Sequence, residues 1–456
     1  MARGGPGVIW RAREYVDRAA RHSPARLALG VFALVIAIVT LLLSTPWAVA
    51  AGHRAPFADA LFTATSATTV TGLVVVPTGS YWSSAGLVVI LVAIQVGGLG
   101  VMTLASLLGM AVSRRIGLTQ RLLVSSETKE TRLGEVGSLI RTVIIASVTL
   151  EALIALFLFP RFLMYDESAG KAAWHSVFYA VSSFNNAGFV PTTYGLDPFA
   201  SDWWVLLPII VGVFIGSLGF PVILNVARHL REPRRWSLHS KLTITTSVGL
   251  VILGAVLIAV LEWRNPATFG DLDLSGRTLA SLFAGVMPRS GGFSTVDVGH
   301  MHESTWLVTD ALMFVGGGSA STAGGIKVTT LAVMLLAILA EGRGDRDVEA
   351  YGRRIPREAL QVAIAVTMVS ATFVLVASLL LLTITGQPLD SVLFIAISAF
   401  ATCGLSTGLA LPEEAKYVLV VLMFIGRTGT MTLAAALALR NRRRVIRLPE
   451  ERPIIG

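Results

Sequence analysis

Uncharged apolar stretches long enough to cross about 30 Å of hydrocarbon recur along the chain, at 27–43, 82–113, 203–226, 242–261 and 359–389. Between the long stretches lie four shorter apolar segments, 57–66, 172–184, 278–287 and 389–400, each followed at once by glycine and small residues. They are too short to span. That length predicts a re-entrant helix and loop, because irregular backbone survives at membrane depth only where protein or a water-filled path satisfies its polar groups.

Composition agrees with the pattern. With 54% hydrophobic and only 14% charged residues over 456 positions, and a mean hydropathy of +0.71, the chain is too apolar for a water-soluble enzyme and belongs in membrane lipid. The first apolar run ends in Ala48-Val49-Ala50, but its long basic lead-in and long core favour a retained span over a cleaved signal. A net charge of +9 would suit a nucleic-acid binder. Most of the 37 Lys and Arg, however, fall between spans, in 1–26, 112–141, 227–241, 340–358 and 440–456. The positive-inside rule places those segments, and both termini, in the cytoplasm of a multi-pass plasma-membrane protein, which removes the nucleic-acid reading. Acidic residues gather in the opposite connections, among them Asp166, Glu167, Asp197, Asp202 and Asp297, where they would concentrate cations.

Five inside segments require each intervening block to leave and return. The chain then divides into a cytoplasmic segment 1–26, a first unit 27–113, a linker 114–138, further units at 139–230, 241–340 and 359–440, and a cytoplasmic tail 441–456. Thr71-Gly72-Leu73, Ala187-Gly188-Phe189, Gly291-Gly292-Phe293 and Cys403-Gly404-Leu405 repeat a small residue, a glycine and a bulky apolar residue, one set per unit. Phe62, Phe178 and Phe394 stand ten residues before their glycines and Ser66, Ser182 and Ser398 six before, whereas Phe283 is nine before Gly292. A second glycine register follows at Gly97-Gly98, Gly216-Ser217, Gly316-Gly317-Gly318 and Gly426-Arg427. This is internal duplication. The expected fold is an all-α integral membrane protein of four tandem helix, pore loop, helix repeats with pseudo-fourfold symmetry around one central pore, with eight main spans and re-entrant pore helices.

A dehydrated cation needs oxygen ligands in place of its water shell, and a ring of backbone carbonyls supplies them without a buried countercharge. Glycine makes such a backbone reachable, and each short helix aims its negative C-terminal end at the centre. The competing reading is that these are packing glycines between membrane helices; four loops at equivalent positions favour the ion path. Candidate ion-binding residues are Val70, Thr71 and Gly72, then Asn186, Ala187 and Gly188, then Ser290, Gly291 and Gly292, then Thr402, Cys403 and Gly404. Cys403 is the one cysteine, so no intramolecular disulfide forms, and its place beside the fourth glycine predicts access for a small thiol reagent.

The quartet Thr69-Val70-Thr71-Gly72-Leu73, Asn185-Asn186-Ala187-Gly188-Phe189, Arg289-Ser290-Gly291-Gly292-Phe293 and Thr402-Cys403-Gly404-Leu405 resembles the Trk/Ktr/HKT potassium transporter superfamily. The resemblance covers nearly the whole chain and is strongest to the Ktr B-type membrane subunit. It implies that the loops are a selectivity filter for potassium, that the protein is a homodimer with one pore per chain, and that a cytosolic nucleotide-binding regulatory ring sits beneath it. No cofactor is implied in this chain. Sodium stays open as a coupling or activating ion, and a sodium-selective or poorly selective channel on the same scaffold is the alternative.

In the third unit, 316–327 has poor helix propensity at membrane depth and should line the ion path as a gate. Its candidate residues are Gly316, Gly317, Gly318, Ser319, Ser321, Thr322, Gly324, Gly325 and Lys327. Arg427 takes the place held by Gly98, Ser217 and Gly317 in the other units, where a buried guanidinium would hold loop carbonyls and repel a passing cation, or else snorkel. The family resemblance agrees with the gate role. Glu151, inside a span, is open between structural pairing, ion coupling and catalysis; Glu262 ends a span, where an interfacial position explains it; Arg289 is expected to buttress the third loop. No His-Glu-x-x-His, Gly-x-Ser-x-Gly or paired-Asp arrangement lies in the spans, which disfavours an intramembrane enzyme.

Overall fold

The computed structural model describes residues 24–116, 134–166 and 168–429. Most of the expected segment 1–26, most of the linker 114–138, the end of the fourth unit, the tail 441–456 and Glu167 lie outside the described residues. The first unit holds α1 (Pro24–Leu43), the short α2 (Phe57–Thr68) and α3 (Ser84–Ile116). The second holds α4 (Gly134–Phe162), the short α5 (Ala169–Phe184), α6 (Trp203–Leu218) and α7 (Phe220–Arg228). The third holds α8 (Leu238–Glu262), the short α9 (Leu274–Val286), α10 (Glu303–Phe314) and α11 (Val328–Arg343). A hairpin, β1 (Val348–Ala350) and β2 (Arg353–Ile355), leads to α12 (Arg357–Thr385), the short α13 (Leu389–Phe400) and α14 (Glu413–Phe424).

Four described helices are long and apolar enough to cross a membrane, at Ser84–Leu104, Ile140–Tyr165, Leu238–Glu262 and Arg357–Thr385, and α6 with α7 forms a fifth, bent span. Leu156, Val260 and Leu375 lie well exposed on the outer helix faces, as residues solvated by lipid tails would. With lipid as apolar as leucine, close packing of small groups rather than burial from water holds such helices together. Each short helix packs on the first helix of its own unit: α2 on α1, α5 on α4, α9 on α8 and α13 on α12. The helix that follows the pore loop in each unit also touches the short helix of the next. α3 meets α5, α6 meets α9, α10 meets α13, and α14 returns to α2, which closes a circle. Lys416 on α14 locks that closure with an ion pair to Asp59 in the first turn of α2, at 2.6 Å.

Three expectations need correction. The stretch 203–226 is not one straight span; it bends by 99° between α6 and α7. Gly219 at the bend has φ +92°, a value penalised for any residue with a Cβ, and Phe220-Pro221 starts the new helix. The fold is also not purely helical. Tyr351 and Gly352, both at positive φ, form a two-residue turn of the kind that closes antiparallel hairpins, with Glu349 opposite Arg354.

Finally, Glu262, at the end of its span, is not a solvated carboxylate but is fully buried in the protein. It accepts from Asn265 and Thr268 at 2.7 Å, from the His302 amide at 2.9 Å and from the Thr305 hydroxyl, so it ties the end of α8 to the start of α10. Glu262→Ala strands all four donors. We expect it to cost about 2–4 kcal/mol of stability, read as a lower unfolding midpoint in detergent, with Glu262→Gln recovering part of the loss.

Candidate functional site

The four loops share one backbone pattern. Val70, Asn186, Ser290 and Thr402 have φ of +55°, +58°, +73° and +48°, and two residues later Gly72, Gly188, Gly292 and Gly404 have +86°, +68°, +73° and +98°. A left-handed non-glycine residue is uncommon, so the same rarity at four equivalent places marks a constraint on the loop rather than local accident. The amide of the residue before the glycine anchors each loop on its short helix. Thr71, Ala187 and Cys403 donate to the Ser66, Ser182 and Ser398 carbonyls at 2.7, 2.7 and 2.8 Å, while Gly291 donates to Met287 at 2.8 Å. The serine hydroxyls hold the loop in two of the units, where Ser182 donates to the Phe189 carbonyl at 2.8 Å and Ser398 accepts from the Gly404 amide at 3.1 Å; the main-chain carbonyl of Met287 anchors the loop in unit three.

The loops meet one another through their glycines. A Cβ on Gly72 would strike the Ala187 carbonyl oxygen, one on Gly188 would stand 3.1 Å from the Gly291 oxygen, one on Gly292 would strike the Cys403 oxygen, and one on Gly404 would strike that of Thr71. The carbonyls of Thr71, Ala187, Gly291 and Cys403 therefore form a closed ring, each against the glycine of the preceding unit. Thr69, Asn185 and Ala401 continue the helical conformation at the ends of α2, α5 and α13, so the negative helix ends lead into the ring.

The second glycine register packs behind it. A Cβ on Gly97, Gly216 or Gly426 would meet the last helical carbonyl of its own short helix, that of Thr68, Phe184 or Phe400. In unit three Gly316 abuts the Gly324 carbonyl instead, because the chain there folds back on itself between α10 and α11. Gly318 donates to the Ser217 carbonyl at 2.7 Å, and the Thr322 hydroxyl donates to that of Gly216 at 3.0 Å. The Ser321 hydroxyl donates to Gly318 at 2.6 Å. Ser319 pairs with Thr329 at 3.3 Å; Val328 donates back to the Gly317 carbonyl at 3.0 Å; and Gly325 sits at φ +66°.

The segment also packs into the bend at Gly219, where a Cβ would strike the Ser319 carbonyl and the Phe220 amide donates to the Ala320 carbonyl at 3.2 Å. Two cations hold it. Lys327 Nζ donates to the Ala323 carbonyl at 2.7 Å and Arg427 Nη1 donates to the Thr322 carbonyl. Arg427 is 2% exposed, and its Nε and Nη2 have no hydrogen-bond partner among the described residues. It occupies a π-helical turn, Ile425–Gly429, a distortion frequent at functional sites.

Arg289 donates to the Ser247 carbonyl at 2.9 Å, to its hydroxyl at 3.0 Å and to the Gly316 carbonyl at 3.4 Å, so it braces the third loop and the start of the interrupted segment together. Glu151 accepts from Asn185 at 3.0 Å and Gln95 at 3.1 Å, and Asn185 also donates to Gln95 at 3.0 Å. Of these three residues, Asn185 and Gln95 are partners the sequence reading did not name. Of the outer acids, Asp166 pairs with His175 at 3.0 Å, Asp202 with Arg161 at 2.7 Å and Asp297 with His300 at 2.9 Å. Burial and the facing Asp297 push the Asp197 carboxyl above its ordinary range.

Cys403 departs from expectation. Its thiol is wholly buried, with Sγ 3.5 and 3.3 Å from the Met287 and Pro288 carbonyls behind the ring. We therefore expect a membrane-impermeant thiol reagent to leave ion flux unchanged in the intact protein, checked by flux before and after exposure; rapid block lost in Cys403→Ser would contradict this placement.

A helical membrane chain whose four loops converge in a ring of carbonyls, closed over a segment pinned by two cations, has the makings of an ion carrier. A family model described as a cation transport protein, TrkH, matches residues 32–442. The chain is 38% identical over 437 residues to the Ktr system potassium uptake protein B of Bacillus subtilis (strain 168), covering 95% of this chain and 96% of that one. It is 32% identical over 444 residues to the potassium/sodium uptake protein NtpJ of Enterococcus hirae, covering 96% and 98%. The crystal structure of the potassium transporter TrkH from Vibrio parahaemolyticus superposes with a TM-score of 0.72 at 18% identity, over 90% of this chain and 84% of that one. The chain belongs to the TrkH cation transport family, as a multi-pass membrane transport protein and not an enzyme.

Proposed function

We propose that this chain takes up potassium across the plasma membrane through a pore built from its four repeats, with the loops as selectivity filter and residues 316–327 as gate. The observation that carries this reading is the closed ring formed by the carbonyls of Thr71, Ala187, Gly291 and Cys403 against the four glycines. A ring of neutral oxygens substitutes for a hydration shell and lets the ion leave again, which a buried carboxylate would oppose. The interrupted segment fits a gate because it places Lys327 and Arg427 beside one another on adjacent carbonyls, a positive barrier to a cation. The membrane potential suffices to drive uptake. One charge crossing 100 mV gains about 2.3 kcal/mol against about 1.4 kcal/mol per tenfold gradient, so about fifty-fold accumulation needs no ATP.

The likeness to protein B of the Ktr potassium uptake system supports a separate partner within such a system, and the reading extends to a homodimer over a cytosolic nucleotide-binding ring. With the basic connections inside, the ring of carbonyls lies toward the outer face and the gate toward the cytoplasm. Sodium transport is the second reading, favoured by the likeness to a protein named for potassium and sodium uptake. Flux into proteoliposomes, with potassium and sodium varied independently, tests both: potassium uptake that outcompetes sodium supports the first, and equal or preferred sodium flux supports the second.

A further inference from the structure

Of the four left-handed positions before the ring glycines, Ser290 is the one whose side chain joins a neighbouring loop to the interrupted segment. Its hydroxyl donates to the Thr402 carbonyl at 2.7 Å and accepts from the Gly324 amide at 3.2 Å, which uses its single proton and a lone pair. The Val70 side chain has no polar atom, and the Thr402 hydroxyl is buried with no hydrogen-bond partner among the described residues. Ser290 itself is buried, at 1% exposed. The contact surface around it is tight as well, since a Cβ on Gly324 would collide with Thr402 Oγ1 and stand 2.6 Å from the Ala401 oxygen.

Gly324 ends a run of three residues that are each held from a different side. The Thr322 carbonyl is held by Arg427, the Ala323 carbonyl by Lys327, and the Gly324 amide by Ser290. Thr402 directly precedes Cys403, whose carbonyl belongs to the ring. Moving the segment therefore withdraws a donor from the same hydroxyl that orients the Thr402 carbonyl beside the ring. A hydroxyl that loses one of two fixed partners regains its rotation, and the peptide it holds loses its restraint.

We propose that Ser290 is a positioning residue for ion selection: it fixes the Thr402 peptide, and through Gly324 it makes the ion preference of the ring depend on the position of the intramembrane segment. This rests on the reading of the ring as filter and the segment as gate. Ion preference is then a property of the closed or open state, and not of the four loops alone.

The test measures potassium and sodium flux into proteoliposomes for the wild type, Ser290→Ala, Arg427→Ala and the double variant. Ser290→Ala is expected to lower potassium over sodium preference about two- to tenfold, the worth of one hydrogen bond. Arg427→Ala is expected to raise flux and lower the preference by a similar factor, and in the double variant the flux rises with no further loss of preference. Should Ser290→Ala fold poorly, Ser290→Gly removes the same hydroxyl while relieving the φ of +73°. If flux rises with Arg427→Ala in both backgrounds but the two preference changes add, or the hydroxyl-free variants keep the wild-type preference, the coupling is wrong and the gate reading stands. If Arg427→Ala leaves flux unchanged in both backgrounds, the gate reading fails and takes the coupling with it.

Discussion

Arg427→Ala, and separately a shortened 316–327 segment, should raise potassium flux about tenfold or more in vesicles that hold no regulatory partner. Arg427 is the larger of the two cations that hold the segment, and its guanidinium is both a donor to the Thr322 carbonyl and a buried positive charge. Truncation removes an electrostatic barrier to a cation and frees the carbonyl it held; each 1.4 kcal/mol taken from that barrier is worth about tenfold in rate. The two changes act on one closed state, so together they should give much less than the product of their separate effects. If the segment is instead a structural hinge, shortening it lowers flux or misfolds the chain, and Arg427→Ala produces no leak. Reduced or unchanged flux in both well-folded variants would sink the gate.

Substituting Ser or Asp at Gly72, Gly188, Gly292 or Gly404 should cut potassium over sodium preference about tenfold or abolish uptake. Two penalties coincide at each position. The φ values are positive, which costs a residue with a Cβ about 1–2 kcal/mol, and the added atom runs into the next loop of the ring, striking a carbonyl oxygen at Gly72, Gly292 and Gly404. The ring has to shift to accept it, and shifting the carbonyls changes the fit to the ion. Gly249 is the control, because an added Cβ there meets nothing within 4 Å. Gly249→Ala should leave preference and rate as they are. Unchanged preference in all four ring variants, correctly inserted, would remove the filter assignment.

Much of this was legible along the chain because it depends on local composition. The length of the apolar runs, the basic connections between them and the fourfold return of a small residue, a glycine and a bulky residue are one-dimensional signals. They locate Gly72, Gly188, Gly292 and Gly404 before any coordinate is known. The same holds for 316–327, whose glycines and hydroxyl residues fit no helix at that depth.

What the tertiary structure alone decided are contacts between residues far apart in the chain, which leave no periodicity to read. The order of the ring is one: each glycine meets the carbonyl of the following unit, and Gly404 returns to Thr71. Ser290 looked like one of four equivalent loop residues until Thr402, 112 positions away, and Gly324, 34 away, came within hydrogen-bond reach. Cys403 read as an accessible thiol because its neighbour lines the ring, yet its side chain turns behind it, toward Met287 and Pro288. Glu262 read as interfacial because it ends an apolar run, whereas residues from 265–268 and 302–305 close over it. Sequence fixes which groups sit at a given depth, since depth follows chain length; which way a side chain turns and what it meets follows from the packing of other units, and that only the folded molecule supplies.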